Sequence, residues 1–146
     1  MERYVASIRI LFVVTAWITG CAHEQPPAPD GGPVMDYVSF VDSLRAAGHT
    51  VEPAGEISQP FFSVKGRIII VNGGDVQVFE YKNTAAANAE AALVSPDGHS
   101  VGKYWINWIA MPHFYKKGKV IVLYVGDNVA VMDALKAVLG PQFAGG

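Results

Sequence analysis

Apolar and polar positions divide the chain into short blocks. Val34, Tyr37, Val38, Val41 and Leu44 recur at helical spacing, and Gly48 follows as a stop. Thr50 to Ile57 reads as extended, but Pro53 and Gly55 interrupt it, which suits an edge strand. Two aliphatic blocks, Arg67 to Val71 and Val76 to Tyr81, flank Asn72-Gly73-Gly74-Asp75. Asparagine and glycine tolerate the positive φ of tight turns, so the pair predicts a hairpin. Asn83 or Thr84 caps an alanine-rich helix running to Val94, and Ser95-Pro96-Asp97-Gly98 reads as a turn. Val101 to Ala110 and Lys119 to Val125 predict two more strands. Asp127 or Asn128 caps a last helix, with Val131, Leu135, Val138 and Leu139 on one side and Gly140-Pro141 after it.

The expected order is α-β-β-β-α-β-β-α. Hairpin connections dominate it, which predicts an α+β fold: a two-layer sandwich of three helices on a mainly antiparallel sheet of about five strands. Several strands break the alternation that a one-sided sheet requires. Ile68 to Val71 and Val120 to Val125 are apolar on both faces. Within 101–110, Tyr104, Ile106 and Trp108 point one way and Trp105, Asn107 and Ile109 the other. Three arrangements satisfy this pattern. The helices divide between the faces; or the second face meets a partner, a twin subunit or an apolar ligand; or loops 59–66 and 111–118, with sheet twist, cover it.

The first 33 residues follow other rules. Arg3 and Arg9 flank a short polar start, and Ile10 to Ile18 is apolar. That run is too short for a transmembrane helix of about 20 residues and matches the h-region of a secretory signal. It ends in Ile18-Thr19-Gly20-Cys21, which resembles the lipobox of bacterial lipoproteins. The resemblance implies a diacylglyceryl thioether on Cys21 as the lipid-attachment residue, cleavage before it, and acylation of the new N-terminus. Two or more acyl chains anchor stably. Ala22 in place of Asp points to the outer membrane of a Gram-negative cell; in another envelope the site is the outer face of the plasma membrane. Residues 1–20 are thus read as signal peptide. Residues 21–33, with four prolines and two glycines, read as the lipidated cysteine and a tether. Residues 34–146 read as one globular domain.

Composition narrows the chemistry. At 51% hydrophobic and 16% charged residues, the chain has the means to build a core. Its single cysteine excludes an internal disulfide and a cysteine-rich zinc site. Cleavage leaves 9 basic and 12 acidic side chains. That balance predicts no basic patch for acidic lipids and no nucleic-acid partner.

An offset of 52 residues aligns Pro60-Phe61-Phe62-Ser63-Val64-Lys65-Gly66-Arg67-Ile68-Ile69-Ile70 with Pro112-His113-Phe114-Tyr115-Lys116-Lys117-Gly118-Lys119-Val120-Ile121-Val122 without a gap. One reading is a duplicated β-loop-β unit whose loops meet and present Lys65, Lys117, Arg67 and Lys119 to an anionic group. The plainer reading is that two hairpins reuse the same turn residues, with solvated charges.

Catalytic signals are sparse. Gly98-His99-Ser100-Val101-Gly102 fits G-x-S-x-G, but a helix precedes it and a strand follows, the reverse of a nucleophile elbow. His113 follows Ser100 with no acid between them. Asp97, His99 and His113 lack metal-ligand spacing, and Glu52 and Glu56, read on one strand face, mean little alone. No phosphate-binding loop or dinucleotide fingerprint occurs.

Gln59-Pro60-Phe61-Phe62, Val76 to Tyr81 and Pro112-His113-Phe114-Tyr115 resemble a family of small bacterial envelope lipoproteins with no assigned activity. That resemblance spans residues 59–126, implies a place in the cell envelope, and supplies no catalytic residues. The expectation is a membrane-anchored, non-enzymatic binding or adaptor domain outside the cytoplasm, without cofactor, meeting an envelope protein. Its expected surface comprises Lys65, Arg67, Trp105, Trp108, His113, Tyr115, Lys117 and Lys119. The alternatives are a carrier of a lipid or other apolar small molecule, and a small hydrolase using His99, Ser100 and His113.

Overall fold

The computed structural model of the protein describes residues 34–146. The residues read as signal peptide, lipid-attachment cysteine and tether, 1–33, lie outside the described residues. Helix α1 spans Tyr37–Ala46. It starts later than the apolar spacing suggests because Asp36 caps it: its carboxylate accepts from the Ser39 N–H, and Ser39 Oγ accepts in turn from the Asp36 N–H. Gly48, at φ +87°, turns the chain into β1, Val51–Ile57.

Strands β2 (Gly66–Val71) and β3 (Gly74–Glu80) form the expected hairpin. Its turn is the two residues Asn72 and Gly73, at φ +48° and +86°, the geometry whose twist matches flanking strands. Asn83 caps α2, Thr84–Ala91. A short hairpin follows, β4 (Ser100–Val101) with β5 (Tyr104–Trp105). Then come β6 (Pro112–Lys117), β7 (Val120–Val125), α3 (Val129–Leu139, capped by Asn128) and β8 (Ala144–Gly145).

The fold is α+β, with three helices on a mainly antiparallel sheet. Six strands run in the order β1-β2-β3-β7-β6-β8. The sheet carries cover on both faces. On one, Phe40, Val41 and Leu44 of α1 and Val131, Leu135 and Leu139 of α3 pack on Ile69, Val71, Val76, Val78, Val120 and Val122. On the other, Ala87 and Ala91 of α2, Phe61, Phe62, Val101 and Trp108 pack on Phe79, Phe114, Ile121 and Leu123. Both faces of the central strands are therefore buried by the chain itself. Gly66 makes room for this, since a Cβ there would lie 2.6 Å from the Phe79 ring.

Three expectations are corrected. Residues 101–110 do not form one strand: Gly102, at φ +55°, folds them into the β4–β5 hairpin and an irregular run. The strand lies later, at Pro112–Lys117, with proline in the first position, where a missing N–H is tolerated. The repeat is not a duplicated β-loop-β unit, because Pro60–Lys65 is irregular where its counterpart is β6. Its equivalent phenylalanines do meet, with Phe62 and Phe114 ring centres 6.5 Å apart, edge to face. Glu52 and Glu56 do not share a face. A bulge between Pro53 and Gly55 places Glu52 opposite Ile70 and Glu56 opposite Arg67, on opposite sides.

Candidate functional site

The residues singled out from sequence fall in four places. Lys65, Arg67, Lys117 and Lys119 gather at one end of the sheet, where β2 and β7 begin and β6 ends. Each has a partner. Lys65 pairs with Glu56 at 3.1 Å and Lys119 with Glu80 at 3.9 Å. Arg67 sits 4.3 Å over the Tyr37 ring, and Lys117 Nζ donates to the Val138 carbonyl.

His113 and Tyr115 are buried on the α1/α3 face. His113 ties three segments together. Its Nδ1 lies 2.7 Å from Gln142 Oε1, its Nε2 lies 3.0 Å from the Gly126 carbonyl, and its ring stacks on Tyr124. Gln142 Nε2 donates to the Gly145 carbonyl, which fixes the orientation of that amide. Burial raises the Tyr115 pKa, with Asp133 adding to the shift.

His99 and Ser100 belong to the opposite face. The Ser100 N–H donates to Ser95 Oγ, and His99 stacks on Trp105. Asp97 accepts from Ser95 Oγ and from the His99 N–H, and these bonds lower its pKa. The sheet separates this group from His113, so His99, Ser100 and His113 are not brought together. Nor does any cluster of three or more His, Cys, Asp or Glu suited to a metal occur among the described residues.

The fourth place is the segment between β4 and β6. Apart from Tyr104, which is exposed beside Trp105, its side chains keep the sidedness expected of a strand. Ile106 and Trp108 point into the core. Trp105 is 76% exposed and Ile109 fully exposed, with Tyr104 and Met111 also outside. The backbone of this segment is held from within. Trp108 Nε1 donates to the Gly98 carbonyl at 2.8 Å, the Ile106 N–H donates to the His99 carbonyl, and the Met111 carbonyl accepts from Gly126. Trp108 also meets Phe61 and Phe114 edge to face. Four large apolar side chains are thus presented on a fixed support, with Lys103 Nζ 5.4 Å from the Tyr104 ring.

Sequence reasoning found Trp105 but passed over Tyr104, Ile109 and Met111 as surface residues. The available signal was density: a mostly apolar run with Asn107 its only polar interruption. Two shallow grooves lie elsewhere among the described residues. One, of about 200 Å³, lies between α1 and β1 against Val41, Val51 and Ile69. The other, of about 230 Å³, lies between α3 and Tyr115, Pro141 and Gln142. Both fall below the roughly 300 Å³ at which small-molecule pockets begin. No helix among the described residues is long and apolar enough to cross a membrane. No protein family, curated protein or solved structure matches the chain.

Proposed function

We propose that the protein is a lipid-anchored domain of the bacterial cell envelope that binds another protein through residues 104–111. The observation that carries the reading is the exposure of Trp105, Ile109 and Met111 on a segment braced by the Trp108–Gly98 hydrogen bond. Aromatic residues and methionine are enriched in protein interfaces, and a rigid support lowers the ordering cost of binding. The lipobox at Cys21 and the proline-rich stretch after it support the anchor. The carrier reading is weaker, because the apolar strand faces that would line a pocket are filled by Phe61, Phe62 and α2.

A photo-crosslinking residue at Ile109, compared with one at exposed Ala137 on α3, tests this in intact envelopes. One dominant protein adduct at position 109, lost with Trp105→Ala while the melting temperature holds, is the expected result. Equal labelling at the two positions would sink the proposal.

A further inference from the structure

The overall charge balance conceals how the cations are placed. Six of the nine Lys and Arg residues in 34–146 stand at one end of the sheet: Lys65, Arg67, Lys82, Lys116, Lys117 and Lys119. Asp36, Glu56 and Glu80 share that end, with Glu90 further along α2. The other end carries Glu52, Asp75 and Asp127, with Arg45 reaching the Val51 carbonyl. The expectation of no basic patch, drawn from net charge alone, misses this segregation.

The cationic end is also where the N-terminal part of the chain arrives. The Lys119 N–H donates to the Met35 carbonyl at 2.9 Å, and Gly118 packs against the Met35 backbone. Twelve residues lie between Cys21 and Val34, so over thirteen chain steps a lipid on Cys21 lies at most about 45 Å from this end, at roughly 3.5 Å per residue. Lys65, Arg67, Lys82 and Lys117 are exposed. Their contacts leave them usable: the Lys65–Glu56 pair is itself exposed on both sides, and such pairs yield readily to a stronger field.

Resting on the lipid-anchor reading, we propose that this end docks on an anionic phospholipid surface. The docking holds the domain by its tether-bearing end and turns residues 104–111 away from the lipid. Met111 sits at the opposite end of β6, about 20 Å away at roughly 3.3 Å per residue. Anionic lipid attracts each nearby Lys or Arg, and the attraction fades within a Debye length.

The test couples Cys21 of the chain from Cys21 onward to a maleimide phospholipid, in neutral vesicles and in vesicles with about 30% phosphatidylglycerol. Lysine acetylation rates are then read by mass spectrometry. Lys65, Lys82 and Lys117 are expected to react about fivefold more slowly on anionic vesicles, with Lys103 unchanged. About 0.5 M salt, where the Debye length is roughly 4 Å, removes that difference. Equal rates on both vesicles, or uniform slowing of all lysines, overturns the docking. The anchor is judged separately by the mass of Cys21 in membrane-extracted protein. An unlipidated Cys21 there refutes the anchor, whereas the vesicle result stands by itself.

Discussion

Tyr81 is predicted to be a place where removing a polar group strengthens the protein. It is 3% exposed, and its hydroxyl has no hydrogen-bond partner among the described residues. Leaving a buried donor and acceptor unmatched costs about 1–3 kcal/mol, whereas the ring itself packs well. Tyr81→Phe keeps the ring and deletes the unmatched group. We expect a gain of about 1 kcal/mol, seen as a higher urea midpoint at unchanged slope. A second signature appears at alkaline pH. Burial, reinforced by the charge of Glu90, raises the Tyr81 pKa above its ordinary value. The folded chain therefore holds the phenolic proton after the unfolded chain has released it near pH ~10. The resulting stability is complete below that pH and is lost as pH climbs toward the folded-state value, by up to about 1.4 kcal/mol per unit. Tyr115 shifts in the same direction and gives a second contribution that survives the substitution. Urea titrations of both proteins between neutral pH and about pH 11 measure the difference. A loss of more than about 1 kcal/mol in Tyr81→Phe at neutral pH would refute the reasoning, because it would mean the hydroxyl is satisfied.

The remaining predictions concern backbone, support and cap. Gly118→Ala places a Cβ 2.5 Å from the Met35 carbonyl oxygen at φ +55°, and should cost about 2 kcal/mol or more; Gly73→Ala, strained but in open space, should cost about half that, as compared by thermal melts. Trp108→Phe keeps an aromatic ring but frees the Gly98 carbonyl, at about 1–2 kcal/mol, and should raise amide exchange across 104–111 before it does so in the sheet. The Asp36 carboxyl is held below its ordinary pKa by the Ser39 N–H and hydroxyl, so its contribution is present above the unfolded value and fades as pH falls through the folded one. Asp36→Ala should therefore lower the melting temperature at neutral pH and leave a flatter acid limb; unchanged limbs would remove the cap from the account.

Local chemistry was legible wherever a residue type dictates its own backbone. Asn72-Gly73 marked the hairpin, Asn83 and Asn128 marked helix starts, and Pro53 with Gly55 marked an interrupted edge strand. The failures arose where tertiary contacts outrank pattern. Residues 106–109 alternate inward and outward as a strand does, yet they are held by the His99 and Gly98 carbonyls rather than by a neighbouring strand. The stretch 111–118 read as a loop, whereas Pro112 opens β6 from a strand's first position, where its missing N–H is tolerated. Site residues fared unevenly for the same reason. Trp108 and His113 are as polar-tipped as Trp105, but the Trp108 N–H donates inside to the Gly98 carbonyl and the His113 ring lies between the Gln142 amide and the Gly126 carbonyl. The cationic end depends on strand register, which brings together residues separated by more than fifty positions.

The two edges of the sheet have a consequence for crowding. At one edge β1 is kinked by its bulge, lacks an N–H at Pro53 and carries Glu52 and Glu56. At the other, the two residues of β8 cover His113 and Phe114, Gly145 at φ +87° ends the pairing, and the rest of β6 carries Lys116 and Lys117. Neither edge is a template for adding a foreign strand. Copies packed side by side at high density are thereby kept from fusing into a continuous ribbon. A partner, in turn, must recognise this protein by its side chains rather than by extending its backbone ladder.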